Sequence, residues 1–265
     1  MLPKTSLIHC QDADYLVFDT NDAITRHLRE RGTWEPHLAF ISQMFAQVVD
    51  APLILDIGAN IGAYAIPLAK QIAARHGVIH AYEPQRVVYY QLCGNLFLNR
   101  LDNVYAHCMA IGDTDGTIAL LPLDYEKTNN IGGFSLLDDI RNQTNYVVLQ
   151  NNGTAVDTPI CRLDTLTLPK APSLIKIDVE GFDLKVLGGG VKLLEQSQFP
   201  PLLFEAWNFA WFADEKHKLL DFLHQLGYET TSIFADDYVA QHPNHPSHFD
   251  FITDGKGAFN MKRAR

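Results

Sequence analysis

The sequence predicts an α/β fold: one Rossmann-like, doubly wound, mostly parallel sheet with helices on both faces, preceded by a short N-terminal extension. Three observations lead there. Short apolar runs alternate with helix-length segments over most of the chain, the pattern of βαβ units. The first strong run ends in Asp56 and Gly58 and passes at once into a helical segment, which places a glycine turn at a strand's carboxyl end. The 265 residues are 47% hydrophobic and 20% charged, enough to bury a full core.

Taken in order, DYLVF (14–18) reads as a short strand, and Asn21 or Asp22 as the cap of a helix running through His27 to Arg31. GTWEP breaks that helix. Over 35–49 the apolar residues Leu38, Phe40, Ile41, Met44, Phe45 and Val48 recur at helical spacing. Residues 1–50 therefore form the extension, and 51–265 the main domain. That domain opens with strand LILDIG (53–58), an Ala-rich helix over about 61–75, strand VIHAYEP (78–84), a helix over 87–99 and strand VYAHCMAI (104–111).

Over about 117–160 the alternation lapses. TIALLPL (117–123), YVVLQ and TAVDTPICRLD are strand candidates around the polar stretch TNNIGGFSLLDD. An insertion this long in a compact domain points to a lid or a binding segment. The rhythm resumes with strand SLIKIDVEG (173–181), a helix over 183–196 interrupted at 188–190, strand PLLFEAW (201–207) and a helix over 215–226. Two β segments, YETTSIFADD and HFDFITD, joined by QHPNHPS, close the chain.

With 21 Lys+Arg against 31 Asp+Glu, the net charge of -10 repels phosphate backbones. The one basic cluster, Lys262, Arg263 and Arg265, reads as a solubilising tail, so no nucleic-acid partner is expected. Cys10, Cys93, Cys108 and Cys161 lack the close spacings of a zinc or redox motif and suit a reducing compartment. The N-terminus has no signal-peptide pattern, and no apolar run approaches the ~20 residues of a membrane span. A soluble, cytoplasmic protein without a membrane partner is expected, the sequons at Asn142 and Asn152 being chance. A homo-oligomer stays open.

The chemistry begins at LDIGANIGAYA. Its two glycines, Gly58 and Gly62, do not complete the three-glycine dinucleotide fingerprint, and Asp56 just before the turn suits a cation better than a pyrophosphate. Glu83 lies 25 residues beyond Gly58, at the end of the second strand, where such folds use an acid to accept hydrogen bonds from a ribose diol. Adenosine with a positive tail fits both acids.

DIGANIGAYA followed by AYEP is similar to the first two motifs of class I methyltransferases that use S-adenosylmethionine. CRLDTL (161–166) and LIKIDVEGFDLKVLGG (174–189), with NRLDNV, AIGDTDG and GFSLL in order between, resemble the FkbM family from about residue 35 to the C-terminal strands. The resemblance implies a seven-stranded class I methyltransferase sheet with the last strand antiparallel. It also implies transfer of a methyl group from S-adenosyl-L-methionine to a hydroxyl of a small molecule, sugar or glycan. By position, Gly58, Ala59, Asn60 and Gly62 would cradle the methionine portion by backbone, with Asp56 nearby, through water or at the ammonium. Glu83, followed by Pro84, would hold the ribose. Ala110, Ile111 and Gly112 would face the adenine, with Asp113 a candidate for its amino group.

Lys176, Asp178 and Glu180 fall on one side of the fourth strand of the sheet, where a central parallel strand is normally apolar. Lys176 has two readings: a catalytic group, or an internal ion pair with Asp178 or with Glu205. Asp178, at the strand's carboxyl end, can orient the acceptor hydroxyl or take its proton and is assigned to both catalysis and the cofactor end. Glu180 is the second candidate base, or else a cap on the following helix. Glu35 is either a contact to the cofactor or a helix N-terminal acid.

Three features are weighed separately. His242, His245 and His248 invite a metal, but two prolines splay them and no further ligand completes a set, so no metal site is assigned. Metal dependence stays open through Asp178 and Glu180. Trp207, Phe209, Trp211 and Phe212 either wall a sugar or pack the sheet. Two rival functions remain: a nicotinamide-dependent oxidoreductase, against which Asp56 and the missing glycine speak, and a non-catalytic module that binds the cofactor.

Overall fold

A computed structural model describes residues 2–151, 153–253 and 259–263. The extension opens with an antiparallel hairpin, β1 (Thr5–His9) and β2 (Asp14–Phe18), of which only β2 is visible in the sequence pattern. α1 (Ala23–Arg31) is capped by Asp22, whose Oδ2 accepts from the Thr25 N–H at 3.0 Å, and stops at Gly32 in the left-handed conformation. α2 (Pro36–Gln47) follows with proline in its first turn. The hairpin is pinned to the main domain by amides. Asn95 accepts from the Leu16 N–H at 2.7 Å, and Asn99 exchanges two hydrogen bonds with the backbone of Asp14. Phe18, Ile41 and Phe45 are buried in the same apolar cluster as Ile54 and Ile66, so the extension shares the domain's core.

The main domain runs β3 (Leu53–Ile57), α3 (Ala65–Ile72), β4 (Val78–Tyr82), α4 (Arg86–Leu98) and β5 (Val104–His107). β6 (Ala110–Gly112), β7 (Gly116–Leu120), α5 (Asp138–Thr144) and β8 (Val156–Arg162) come next. The chain returns through β9 (Leu174–Ile177), α6 (Asp183–Gly188), α7 (Val191–Gln196), β10 (Leu202–Glu205), α8 (Ala213–Gln225), β11 (Glu229–Phe234) and β12 (Asp237–Gln241). β13 (Phe249–Thr253) and β14 (Phe259–Arg263) end it.

The central sheet has the order β11-β12-β10-β9-β3-β4-β5, parallel throughout except for β12, which is antiparallel to both neighbours. β3, the first strand of this sheet in the chain, lies inside it beside the middle strand β9. The chain builds outward to β5 on one side and then returns to place β9 against the other side of β3. The carboxyl ends of β3 and β9 therefore flank the topological switch point, where open α/β sheets hold their ligands.

Several sequence expectations need correcting. The run 104–111 is two strands: β5 edges the central sheet, whereas β6 joins β8 and β7 in a separate three-stranded sheet. YVVLQ forms only an isolated bridge, Leu123 to Leu149. The antiparallel last strand of the sheet is β12, DYVAQ, and not HFDFITD, whose β13 pairs only with β14. β12 was hidden because Asp236 and Asp237 were read into the preceding segment YETTSIFADD and leave just Tyr238, Val239 and Ala240 as apolar signal. Lys262 and Arg263 belong to β14 and not to a free tail. Asn152, Asp254 and Arg265 lie outside the described residues. Among the described residues no helix is long and apolar enough to cross a membrane, and all four cysteines are free.

Candidate active site

The site is made by strand ends that cannot separate. Asp56 and Lys176 are register partners across β3 and β9, and the Asp178 N–H donates to the Ile57 carbonyl at 2.9 Å. Just beyond, Gly58 turns with φ +85°, and a Cβ on it would lie 1.8 Å from the Asp178 carbonyl oxygen. Both demands admit only glycine. Gly58→Ala is expected to destabilise the fold by at least about 2 kcal/mol, since it adds left-handed strain to a backbone overlap. A melting temperature within 2–3 °C of the parent, roughly 1 kcal/mol for a chain this long, would contradict that packing.

The N–H groups of Gly58 and Ala59 both donate to the Tyr82 carbonyl, at 3.0 and 2.9 Å. Glu83 then ties two turns together. Its Oε2 accepts from the Asn60 N–H at 3.0 Å and its Oε1 from the Gln85 N–H at 2.8 Å. Each carboxylate oxygen keeps a lone pair for a further donor. Burial pushes the Glu83 carboxyl up to about 7 against the opposing pull of those two N–H groups.

Two cavities meet over this turn, sharing Gly58, Asn60, Gly132 and Glu180 in their walls. One is lined by Tyr82, Glu83, Pro84, Met109, Ala110 and Ile111, an acid set in an apolar slot. Its free volume is only about 40 Å³, because Gly132, Phe134 and Leu136 of the insertion lie over it. Admitting a nucleoside requires this segment to move outward. The other cavity, of about 270 Å³, holds Ala59, Lys176 and Asp178 on one side and Glu35, Glu205 and Trp207 on another.

Lys176 is the cation at the centre. Its Nζ lies 3.0 Å from Asp178 Oδ2 and 3.5 Å from Asp56 Oδ1, with the Tyr64 ring centroid at 5.3 Å. Burial opposes its charge, but the surrounding carboxylates, Asp178 and Asp56 first, hold its pKa well above the ordinary value. The ion pair read from the sequence is therefore made with Asp178; the second partner is Asp56, and no Lys176–Glu205 pair occurs among the described residues. Asp56 is 0% exposed and lines neither cavity, its nearest charged neighbour being Lys176.

Glu180 is no longer on the strand. β9 ends at Ile177, and Glu180 sits in the following turn with φ 53°, capping nothing: α6 has no side-chain cap. Burial, reinforced by Asp178 and Asp183, raises its pKa well above the usual range. Glu35 lines the larger cavity with φ 41° and makes no cap bond to α2. Burial, and then Asp178, pushes its carboxyl up to about 8.

These shifts have a sign. A carboxyl raised in the folded chain is protonated there while ionised in the unfolded chain, so it stabilises below its folded pKa, and that contribution is lost as pH rises through it. His27, His80, His107 and His245 are lowered chiefly by burial and act oppositely below about 6.5. Between pH about 6.5 and 8 only the acids remain, so thermal stability of the ligand-free protein is expected to fall across that window. Glu35→Gln should flatten the fall; a melting temperature that rises over the same range would refute the assignment.

Two assigned residues are not brought to the site. Gly62, with φ +87°, packs against Leu92 and Ile66, where a Cβ would meet Leu92 Cδ1 at 2.8 Å, and it borders neither cavity. Asp113 pairs with Lys185 at 2.7 Å on the surface and is absent from the adenine-side slot. Two of the three histidines are used locally: His242 stacks on Phe199 at 4.5 Å, and the Nδ1 atoms of His242 and His245 accept from the N–H groups of Asn244 and Ser247, while His248 Nε2 lies 3.9 Å from Glu229. Among the described residues no three acids, histidines or cysteines are grouped to hold a metal. The aromatic cluster divides. Trp207 and Phe212 are buried against Ile140, Phe209 and Trp211 stack on each other part-exposed, and only Trp207 and Phe209 line the cavity. Sequence reasoning passed over Tyr64, Tyr146 and Asp236, which also line it. The Asp236–Asp237 pair was the one available signal for the last.

A seven-stranded sheet in which the third, second, first, fourth, fifth, seventh and sixth strands follow one another, with a glycine turn and a ribose-type acid at its switch point, defines a class I methyltransferase fold. Residues 56–230 match the model of the Methyltransferase FkbM domain, and the chain belongs to that family. It is 29% identical over 167 residues to Methyltransferase sdnD of Sordaria araneosa, covering 54% of this chain and 62% of that protein. The chain thus spans under two thirds of the length of this relative. Solved structures that resemble it include an FkbM methyltransferase from Methylobacillus flagellatus, at 17% identity, TM-score 0.47 and coverage of 72% of this chain and 43% of that one. Another is a SAM-dependent O-methyltransferase from Thermotoga maritima, at 10% identity, TM-score 0.43 and coverage of 97% and 79%.

Proposed function

We propose that this chain is an S-adenosylmethionine-dependent O-methyltransferase acting on a hydroxyl of a small molecule or sugar. What carries the reading is the pair of cavities meeting at Gly58 and Asn60, with Glu83 in one and Asp178 in the other. The residues fit the cofactor: an apolar slot between Tyr82 and Ile111 for a base, Glu83 with free lone pairs for a diol, and a net acidic cavity for a cation. When bound, S-adenosylmethionine supplies an electrophilic methyl group, so the protein's part is alignment and proton removal.

Asp178 is the better base. Its Oδ2 is held by Lys176, and among the described residues no donor takes Oδ1, leaving that oxygen for the acceptor's hydroxyl proton. Glu180, whose pKa burial and then Asp178 raise well above the ordinary carboxyl value, sits in the turn beyond the strand and is the second candidate. Asp178 would take the hydroxyl proton as the acceptor oxygen gains the methyl group that the bound sulfonium would give up. The free cysteines agree with a reducing, cytosolic setting. A mass-spectrometric screen of hydroxylated sugars should find an acceptor. With it, Asp178→Ala is expected to lower turnover by at least about 10²-fold while leaving cofactor affinity within about tenfold. Full turnover in that variant would remove Asp178 from the mechanism.

A further inference from the structure

The larger cavity has a neighbour. A groove of about 460 Å³ opens to the surface between α2 and the β11–β12 turn, and it shares Trp34, Glu35, Glu205 and Asp236 with the cavity that holds Asp178. The two spaces adjoin at these four residues, which line both. Resting on the methyltransferase reading above, we infer that the acceptor is a cationic hydroxyl compound of the amino-sugar type, entering by this groove with its ammonium held at the junction by Glu35 and Glu205.

Four observations converge. Glu35, which lines both spaces, is held at positive φ, and its buried Oε2 has no hydrogen-bond partner among the described residues although Trp34 engages the carboxyl, so two separate costs fall on one side chain at the junction. Glu205, at the carboxyl end of β10, faces the same space. Burial and the nearby Asp178 raise its pKa, a cost that a bound cation relieves. Trp34 and Trp207 supply ring faces beside these acids, the pairing of carboxylates and aromatics that receives ammonium groups, while the same rings can cover the apolar face of a sugar. Lys176 cannot serve as the missing counter-charge, because it is engaged with Asp178 and Asp56. Apart from Lys176, the basic side chains that line the two spaces among the described residues, His27, Arg31 and His37, belong to the outer groove, His37 lying 2.6 Å from Asp237. An inorganic ion is the poorer occupant, since among the described residues no three such side chains are grouped at metal distance.

D-Glucosamine is the probe, with D-glucose and N-acetyl-D-glucosamine as neutral controls, titrated by calorimetry into the full chain with and without saturating S-adenosylhomocysteine. Glucosamine is expected to bind at least tenfold more tightly than either control at pH 7, and Glu205→Gln to erase most of that preference. Equal binding of the three sugars, binding of none, or a preference that survives Glu205→Gln would overturn the inference. Failure of S-adenosylhomocysteine itself to bind would strike the methyltransferase reading separately, because the sugar titration without it is read independently.

Discussion

Replacing Lys176 by methionine is expected to destabilise the protein by about 3–5 kcal/mol, the cost of leaving buried charge without its partner. Asp56 makes the effect large. It is wholly buried, and among the described residues Lys176 Nζ at 3.5 Å is its one opposite charge and neither of its oxygens accepts a hydrogen bond. Desolvation already raises its pKa, with Lys176 the main opposing influence. Without the lysine, Asp56 must take up a proton or admit water into the centre of the sheet. Lys176→Met combined with Asp56→Asn should therefore recover part of the loss, which denaturant unfolding would read directly. A single variant as stable as the parent would mean that the triad is not a unit. The double variant should remain catalytically poor, since Asp178 would lose the cation that fixes its Oδ2.

Glu83→Ala is expected to weaken S-adenosylhomocysteine binding by roughly 1.5–3 kcal/mol, as when charge-assisted hydrogen bonds are lost. It should also lower stability by a comparable amount, because the N–H groups of Asn60 and Gln85 lose their acceptor. Glu83→Gln separates the two effects incompletely, as its amide offers one acceptor oxygen where the carboxylate uses two. Calorimetry and thermal melts on the same samples check both. Unchanged affinity beside lowered stability would move the ribose contact elsewhere and leave Glu83 a turn-binding residue.

The fold was legible because its parallel strands are buried on both faces and so stand out as apolar runs ending in acids: LILDIG, VIHAYEP and LIKID all became central strands. Segments whose pairing depends on neighbours far along the chain were not. β12 is too short and too charged at its start, and β6 is separated from β5 only by the partner it finds in β8. In the site, the strand ends gave Gly58, Glu83 and Asp178 their places through position alone. Asp56 and Gly62 carried the same motif yet serve packing and charge balance, a distinction that needs register and the neighbouring α4. Asp236 and Tyr146 reach the cavity from a turn and from the insertion, where no periodicity marks them.

The central claim is that the switch point of this sheet holds S-adenosylmethionine. Calorimetric titration of the full chain with S-adenosylhomocysteine and, separately, with NAD tests it most directly. The account predicts one-site binding of S-adenosylhomocysteine with micromolar or tighter affinity, about -8 kcal/mol or beyond, and none of NAD. Binding of NAD alone would contradict it.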